Sequence, residues 1–404
     1  MGSETHSVES RTSWIVAGAA LSLLMVGFGA PLVAAVALKP IAATLDAPRS
    51  VPALAGSAAY LGSALGGLVM GPIADRVGIR RLAAFGILMV AAGMAVSSIG
   101  TEAALLLGHG VLLGFFGLAS LFAPLLTLVT RWFDRRRGTA LALVSSGQYL
   151  AGMLWPNLIE LGVDGFGWQR TMLTYGILAA GLMLPATLLL RQAPAASVTA
   201  HATGPQPGAL VLGMHPNLAG GLISAAIFLC CVPMAMPPAH LVAFCSDAGL
   251  TPTRGAAMLS MMLGLAFFSR QFWGWLADRM GGLPTVLAAS SVQAAAVAGF
   301  VLTQNEAGLF AVSALFGLGF SGIVPAYVMA IRDLFPDREA SWRVPVLVMA
   351  GQGGMAFGTW LAGAIYDHAG AYAPAFGVAV LFNLANLVLL GVLLGRRPRA
   401  YAFQ

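Results

Sequence analysis

The chain has 404 residues, of which 58% are hydrophobic and only 9% charged, against about 25% charged in a soluble domain. Together with 50 glycines and a mean hydropathy of +0.85, this excludes an ordinary water-soluble protein and points to helices packed closely in lipid. The net charge of +6 does not imply a nucleic-acid partner, because the arginines sit in short loops between apolar runs and form no continuous basic face.

A membrane-crossing helix needs about 20 apolar residues. Taken in chain order, such runs are predicted at 14–38, 52–74, 81–99, 103–130, 138–160 and 169–190. After a polar interruption they resume at 217–244, 254–277, 283–303, 307–331, 343–365 and 372–394. The first run is too long for the core of a signal peptide, about 7–15 residues, and is read as a retained span. The interruption, 191–216, is rich in Ala, Pro, Ser and Thr and reads as a flexible cytoplasmic linker. It separates an N-terminal six-helix bundle (1–190) from a C-terminal one (217–404). Cys230, Cys231 and Cys245 share one apolar segment without metal-ligand spacing and read as buried free thiols. No cofactor, metal site or catalytic residue is expected, because no Ser/His/Asp set, ligand cluster or phosphate loop falls at a shared depth.

The loops set the orientation. With the N-terminus in the cytoplasm, inner loops and tails hold 16 of the 21 Lys and Arg, outer loops only Lys39, Arg49, Arg170 and Arg254, and Arg270 falls inside a span. Both termini are therefore expected in the cytoplasm.

The segment "GPIADRVGIRR" (71–81) returns as "GWLADRMGG" (274–282). At an offset of 203 residues, Gly71 meets Gly274, Asp75 meets Asp278, Arg76 meets Arg279, Gly78 meets Gly281, and Asp164 meets Asp367. Five matched landmarks at one offset over two six-span halves indicate a duplicated unit in parallel orientation. Asp75 lies at a helix end, where a neighbouring helix N-terminus or an arginine would stabilise it, and Gly71 would let another helix close in. A plain charged loop that sets topology is the alternative reading, although topology needs only the arginines.

The loop Gly71, Asp75, Arg76, Gly78, Arg80, Arg81 resembles the signature loop of the major facilitator superfamily, and Gly274, Asp278, Arg279, Gly281 its second copy without the trailing arginines. "RWFDRRRGTALALVSSGQYLAG" (131–152), "LKPIAATLDAPRSVPALAG" (38–56) and "GTWLAGAIYDHAGAY" (358–372) are similar to the monocarboxylate and oxalate–formate branch. The resemblance covers the whole chain. It implies an all-α membrane fold of twelve helices in two pseudo-symmetric halves, alternating access, a monomer in the inner membrane, and inner gates built on the two signature loops.

Arg270 precedes Asp278 by eight residues, so it lies about 12 Å along its helix from the cytoplasmic end, near the middle of the bilayer. By the same arithmetic His109, Glu160 and His240 lie at the outer mouth. A mid-depth charge is costly and normally faces a cavity with a partner or a substrate, and no acidic side chain is predicted at that depth. Guanidinium matches a carboxylate in a two-pronged fork. The alternative is a structural arginine bonding backbone carbonyls, or one snorkelling to the inner face.

The resemblance also implies that an arginine four residues before the second signature glycine binds the substrate carboxylate; Arg270 and Gly274 have that spacing. It implies aromatics from spans one, four, five, ten and eleven around the cargo. Candidates at mid-depth are Phe28, Phe122, Tyr149 and Tyr327, the two tyrosines as hydroxyl donors to a carboxylate, with Gln148 and Gln352 as hydrogen-bonding groups, and ordinary helix packing is an equal reading for each.

Two departures from the branch stand out. Ala266 occupies the place where the vertebrate carriers keep a proton-coupling aspartate, and span eleven lacks the lysine of the oxalate–formate type. A single deep charge suits a small organic monocarboxylate. Proton-linked transport, with His240, Glu160 or His109 as titrating groups, and carboxylate exchange both stay open. Export of a neutral or drug-like compound and a non-transporting membrane sensor are the rivals.

Overall fold

The computed structural model describes residues 9–133, 135–192 and 210–396, with only the backbone of Asp337. Most of the expected linker, and Arg397 and Arg399 of the positive tail, lie outside the described residues. The chain is nearly all helix. It divides into two compact units, Met1–Ala47 with Ala58–Thr199, and Pro48–Ser57 with Ala200–Gln404.

In the first unit, α1 (Arg11–Gly27), α2 (Ala30–Val36) and α3 (Leu38–Thr44) replace the single span expected over 14–38. The helix stops at Phe28–Gly29, and Pro31 opens the next piece. The carbonyls near the break find side-chain donors: Trp155 Nε1 donates to Met25 (3.0 Å) and the Tyr175 hydroxyl to Val26 (2.5 Å). Such a break inside a membrane requires this kind of substitute bonding. Next come α4 (Ser50–Val77), α5 (Ile79–Ser97) and α6 (Glu102–Leu107). A π-helical stretch, Gly108–Leu118, runs into α7 (Ala119–Trp132). A Cβ at Gly66 on α4 would collide with the Phe115 carbonyl of the π stretch, so glycine there permits the close approach. The expected span 138–160 is likewise divided at Ser146, into α8 (Arg137–Ser145) and α9 (Gly147–Phe166); α10 (Trp168–Ala186) follows.

The second unit contains α11 (Pro216–Asp247), α12 (Pro252–Met280), α13 (Gly282–Leu302), α14 (Glu306–Phe320), α15 (Ile323–Leu334), α16 (Asp337–Ala369) and α17 (Ala373–Gly395). The span expected over 307–331 is broken at Ser321–Gly322. By contrast α11 runs unbroken for 32 residues through Pro233, Pro237 and Pro238.

Among the described residues, ten helical segments are long and apolar enough to cross a membrane. The two expected spans outside that set are the most polar: α8 with α9, which carries Glu160 and Asp164, and α12, which carries Arg254, Arg270, Asp278 and Arg279. The duplication is also written in the backbone. Positive φ occurs at Asp46 and Gly249, at Gly78 and Gly281, and at Gly167 and Gly370, each pair 203 residues apart in the sequence. Gly78 (φ 89°, ψ 142°) and Gly281 (φ 80°, ψ 169°) each cap the helix after a signature loop, in a region that is essentially glycine's alone.

Candidate functional site

The α12 helix is fixed by one face. Ser269 donates to the Gly317 carbonyl (3.1 Å) or shares its hydroxyl with Ser321 (2.8 Å), and Trp273 Nε1 donates to the Leu318 carbonyl (2.6 Å). A Cβ on Gly317 would strike the Met262 carbonyl, so α12 and α14 touch backbone to backbone. Ala266, on this packed face, is fully buried. These anchors turn the neighbouring strip, Arg270 and Gly274, away from α14. Arg270 is half-buried, and a Cβ on Gly274 would meet no atom within 4 Å. Arg270 is not without a partner in the structure. The expectation of a charge without a protein partner is therefore corrected, while its place inside the helix, one turn from the signature glycine, stands as read.

The remaining candidates separate by surroundings. Phe28, at the break between α1 and α2, and Phe122 on α7 meet edge to face with centroids 5.5 Å apart. Tyr149 is buried on α9, with Gln148 beside it half-buried. Tyr327 is fully buried and donates its hydroxyl to Asn386 Oδ1 on α17 (2.6 Å). Its proton is thus committed to a neighbouring helix, which corrects the expectation of a donor to cargo. Gln352 on α16 carries a buried Oε1 without a partner among the described residues. The Cys230 sulfur meets Ser290 (3.3 Å), and all three cysteines are buried and free.

Of the outer-mouth candidates, His109 is fully buried, with Nδ1 against Ser97 Oγ (2.9 Å) and the Leu105 carbonyl (3.2 Å). It is a packing residue at the start of the π stretch, not a group at a mouth. Glu160 is buried on α9, one turn from exposed Asp164. His240 is also fully buried, and its surroundings were not legible in the sequence. Its Nε2 contacts the Thr359 carbonyl (2.8 Å) and its Nδ1 the Tyr372 hydroxyl (3.1 Å). Tyr372 is itself buried. Beside it Arg49, in the Pro48–Ser57 segment of the second unit, lies over the Tyr366 ring (3.7 Å) and forks onto both carboxylate oxygens of Asp247. Asp367 accepts the backbone N–H groups of Arg49 (2.7 Å) and Ser50 (2.9 Å). Asp367 had a sequence signal as a landmark of the repeat, and Arg49, Tyr366 and Tyr372 lie in the two stretches 38–56 and 358–372, but nothing in the sequence brought them together.

At the signature loops, Arg131 at the end of α7 binds Asp75 (2.9 Å), both side chains being more than half exposed. This is the arginine neighbour expected for Asp75. Arg80 instead caps the end of the α10 segment, donating to the Leu190 and Leu188 carbonyls, so its visible task is structural. Arg76 and Asp278 are exposed, and Arg279 lies over the Trp275 ring (4.1 Å). Among the described residues a Cβ on Gly71 would meet nothing within 4 Å, so no close helix approach is made there by any of them, against the expectation.

The Major Facilitator Superfamily profile matches residues 15–308. The MFS-type transporter pynF of Aspergillus niger is 30% identical over 285 residues, which span 68% of this chain and 62% of that protein. Monocarboxylate transporter 11 of Homo sapiens is 26% identical over 367 residues, 90% of this chain and 69% of that one. A bacterial homologue of the human lysosomal transporter Spinster, in an inward-facing and occupied conformation, superposes with a TM-score of 0.73 over 97% of this chain and all of that one, at 14% identity. The chain thus spans between three fifths and seven tenths of the length of these two sequence relatives.

Proposed function

We propose that this chain, which belongs to the major facilitator superfamily, carries a small organic monocarboxylate across the inner membrane by alternating access, with both termini in the cytoplasm. The observation that carries the reading is Arg270: a half-buried guanidinium in the body of α12, about 12 Å from the helix's charged end, one turn from a glycine with open space beside it. A guanidinium there provides two parallel N–H donors for a carboxylate, and a cargo carboxylate would exchange with the group's present contacts. The similarity to monocarboxylate transporter 11, and to monocarboxylate transporter 13 of Bos taurus at 25% identity, supports the same class of cargo.

Phe28 and Phe122, paired edge to face, offer an apolar surface for the body of the acid. Tyr149, Gln148 and Gln352 are the hydrogen-bonding candidates, and the unpartnered Gln352 Oε1 suits a hydroxyl or a protonated acid. With buried Ala266 in place of an aspartate, a proton has no acceptor one turn from Arg270, so proton-linked transport would use Glu160 or His240. The signature-loop residues serve as inner gates, and the protein works as a monomer.

Thermal-shift screening of the purified protein against short, branched and aromatic acids, each beside its uncharged amide, tests this reading. Acids that stabilise the protein should also be taken up by proteoliposomes, faster with an inward proton gradient. Stabilisation and uptake confined to the amides or to other neutral compounds would refute it.

A further inference from the structure

The side chains around the start of α4 form one connected cluster within the second unit. Asp367 receives the first two amides of the helix, Ser57 donates to the Ala356 carbonyl (2.6 Å), and a Cβ on Gly363 would touch the Ser50 backbone at 2.9 Å. Arg49 is pinned by the Asp247 carboxylate and the Tyr366 ring, and it also interacts with Tyr372. The remainder of α4, from Ala58, belongs to the other unit. This cluster therefore fastens the first turns of a helix that continues elsewhere.

His240 lies behind it, and its bonds determine its proton count. A backbone carbonyl can only accept, so Nε2, facing Thr359, carries the hydrogen. In the neutral ring Nδ1 is then an acceptor and takes the Tyr372 proton. A second proton on Nδ1 would force the Tyr372 hydroxyl to turn from donor to acceptor, although its oxygen already neighbours the Arg49 guanidinium. It would also place a cation on a fully buried ring near Arg49. The charged and titratable groups acting on His240 are Arg49 on the α4 segment, Asp367 on α16, and Tyr372 ahead of α17. Asp247, at the end of its own helix, and Tyr366 lie beyond Arg49. Thr359 links the ring to the helix directly: its carbonyl takes the His240 proton, and its methyl lies 3.4 Å from the place of a Cβ on Gly56.

We propose that the Arg49–Asp247–Asp367 cluster is a proton-released clasp on the start of α4, with His240 as the positioning residue that holds Tyr372 against Arg49 only while neutral. The clasp is closed above the ordinary histidine range. An imidazole released to water titrates near 6.5, so acidification stabilises the open form. Between pH 7.5 and 5.5, which lies above the ordinary carboxylate range, the open fraction rises about tenfold.

Hydrogen exchange reads the clasp directly, because the Arg49 and Ser50 amides are two of its bonds. The purified full-length protein is compared at pH 7.5 and 5.5 with no carboxylate added, and protection over residues 47–57 is corrected for intrinsic exchange. Wild type should lose about tenfold in protection on acidification. His240→Gln, which keeps one donor and one acceptor but does not titrate in this range, should stay protected at both values. Tyr372→Phe, which removes the conflicting hydroxyl, should also lose most of the pH dependence. Arg49→Gln should be unprotected at both. Equal acid loss in wild type, His240→Gln and Tyr372→Phe, or no loss in wild type, overturns the proposal. Since no cargo is present, either result leaves the Arg270 reading untouched.

Discussion

At its first turn α4 is fastened by a forked ion pair whose arginine and aspartate side chains are 13% and 25% exposed, by an aromatic ring under the guanidinium, and by a carboxylate on two backbone amides. At its last turn the same helix carries Asp75, bound to one arginine through a pair that is 55% and 61% exposed. Both ends use Arg and Asp, yet burial and geometry give them different weight. An exposed pair contributes little, because water and salt screen it. A half-buried fork with further hydrogen bonds resists release, because separating it leaves charges partly desolvated. The end with the repeated signature motif is the loosely held one, and the end with little motif is the fastened one.

Substitutions can break this contrast. Arg49→Gln should have the largest effect, destabilising the protein by about 2 kcal/mol through loss of a charged hydrogen-bond pair, seen as a drop of several degrees in the melting temperature. Asp367→Ala should approach it. Next come Gly78→Ala and Gly281→Ala, each forcing a Cβ into backbone angles that cost at least about 1 kcal/mol. Similar drops in the two variants would show that the repeated glycines are set by one backbone demand, and no drop in either would deny it. Asp75→Asn should be the smallest, under about 1 kcal/mol, and insensitive to 0.5 M salt once made. A melting loss for Asp75→Asn as large as that for Arg49→Gln would erase the difference between the two ends.

These residues also show what a sequence exposes. Gly78 and Gly281 were legible because a backbone constraint acts on one residue at a time and recurs with the duplication. The apolar runs were legible because lipid demands about 20 apolar residues. The breaks were not, since α1 stops at Phe28–Gly29 while α11 passes three prolines; what differs is the supply of donors such as Trp155 and Tyr175 from distant helices. The Arg49 cluster is not legible for the same reason, its partners lying roughly two hundred to three hundred residues away in sequence. Arg270 was placed correctly along its helix by counting, but counting gave no account of its contacts, nor of the bond that commits Tyr327 to Asn386.

The account depends most on Arg270, and uptake by Arg270→Ala in proteoliposomes tests it most directly. For an acid that the wild-type protein transports, the folded variant should lose at least about thirtyfold in uptake, as expected when one member of a hydrogen-bonded charge pair is removed. Arg270→Lys should recover only part of it, lacking the fork. Saturable uptake of every tested acid at the wild-type rate by a folded Arg270→Ala protein would contradict the assignment.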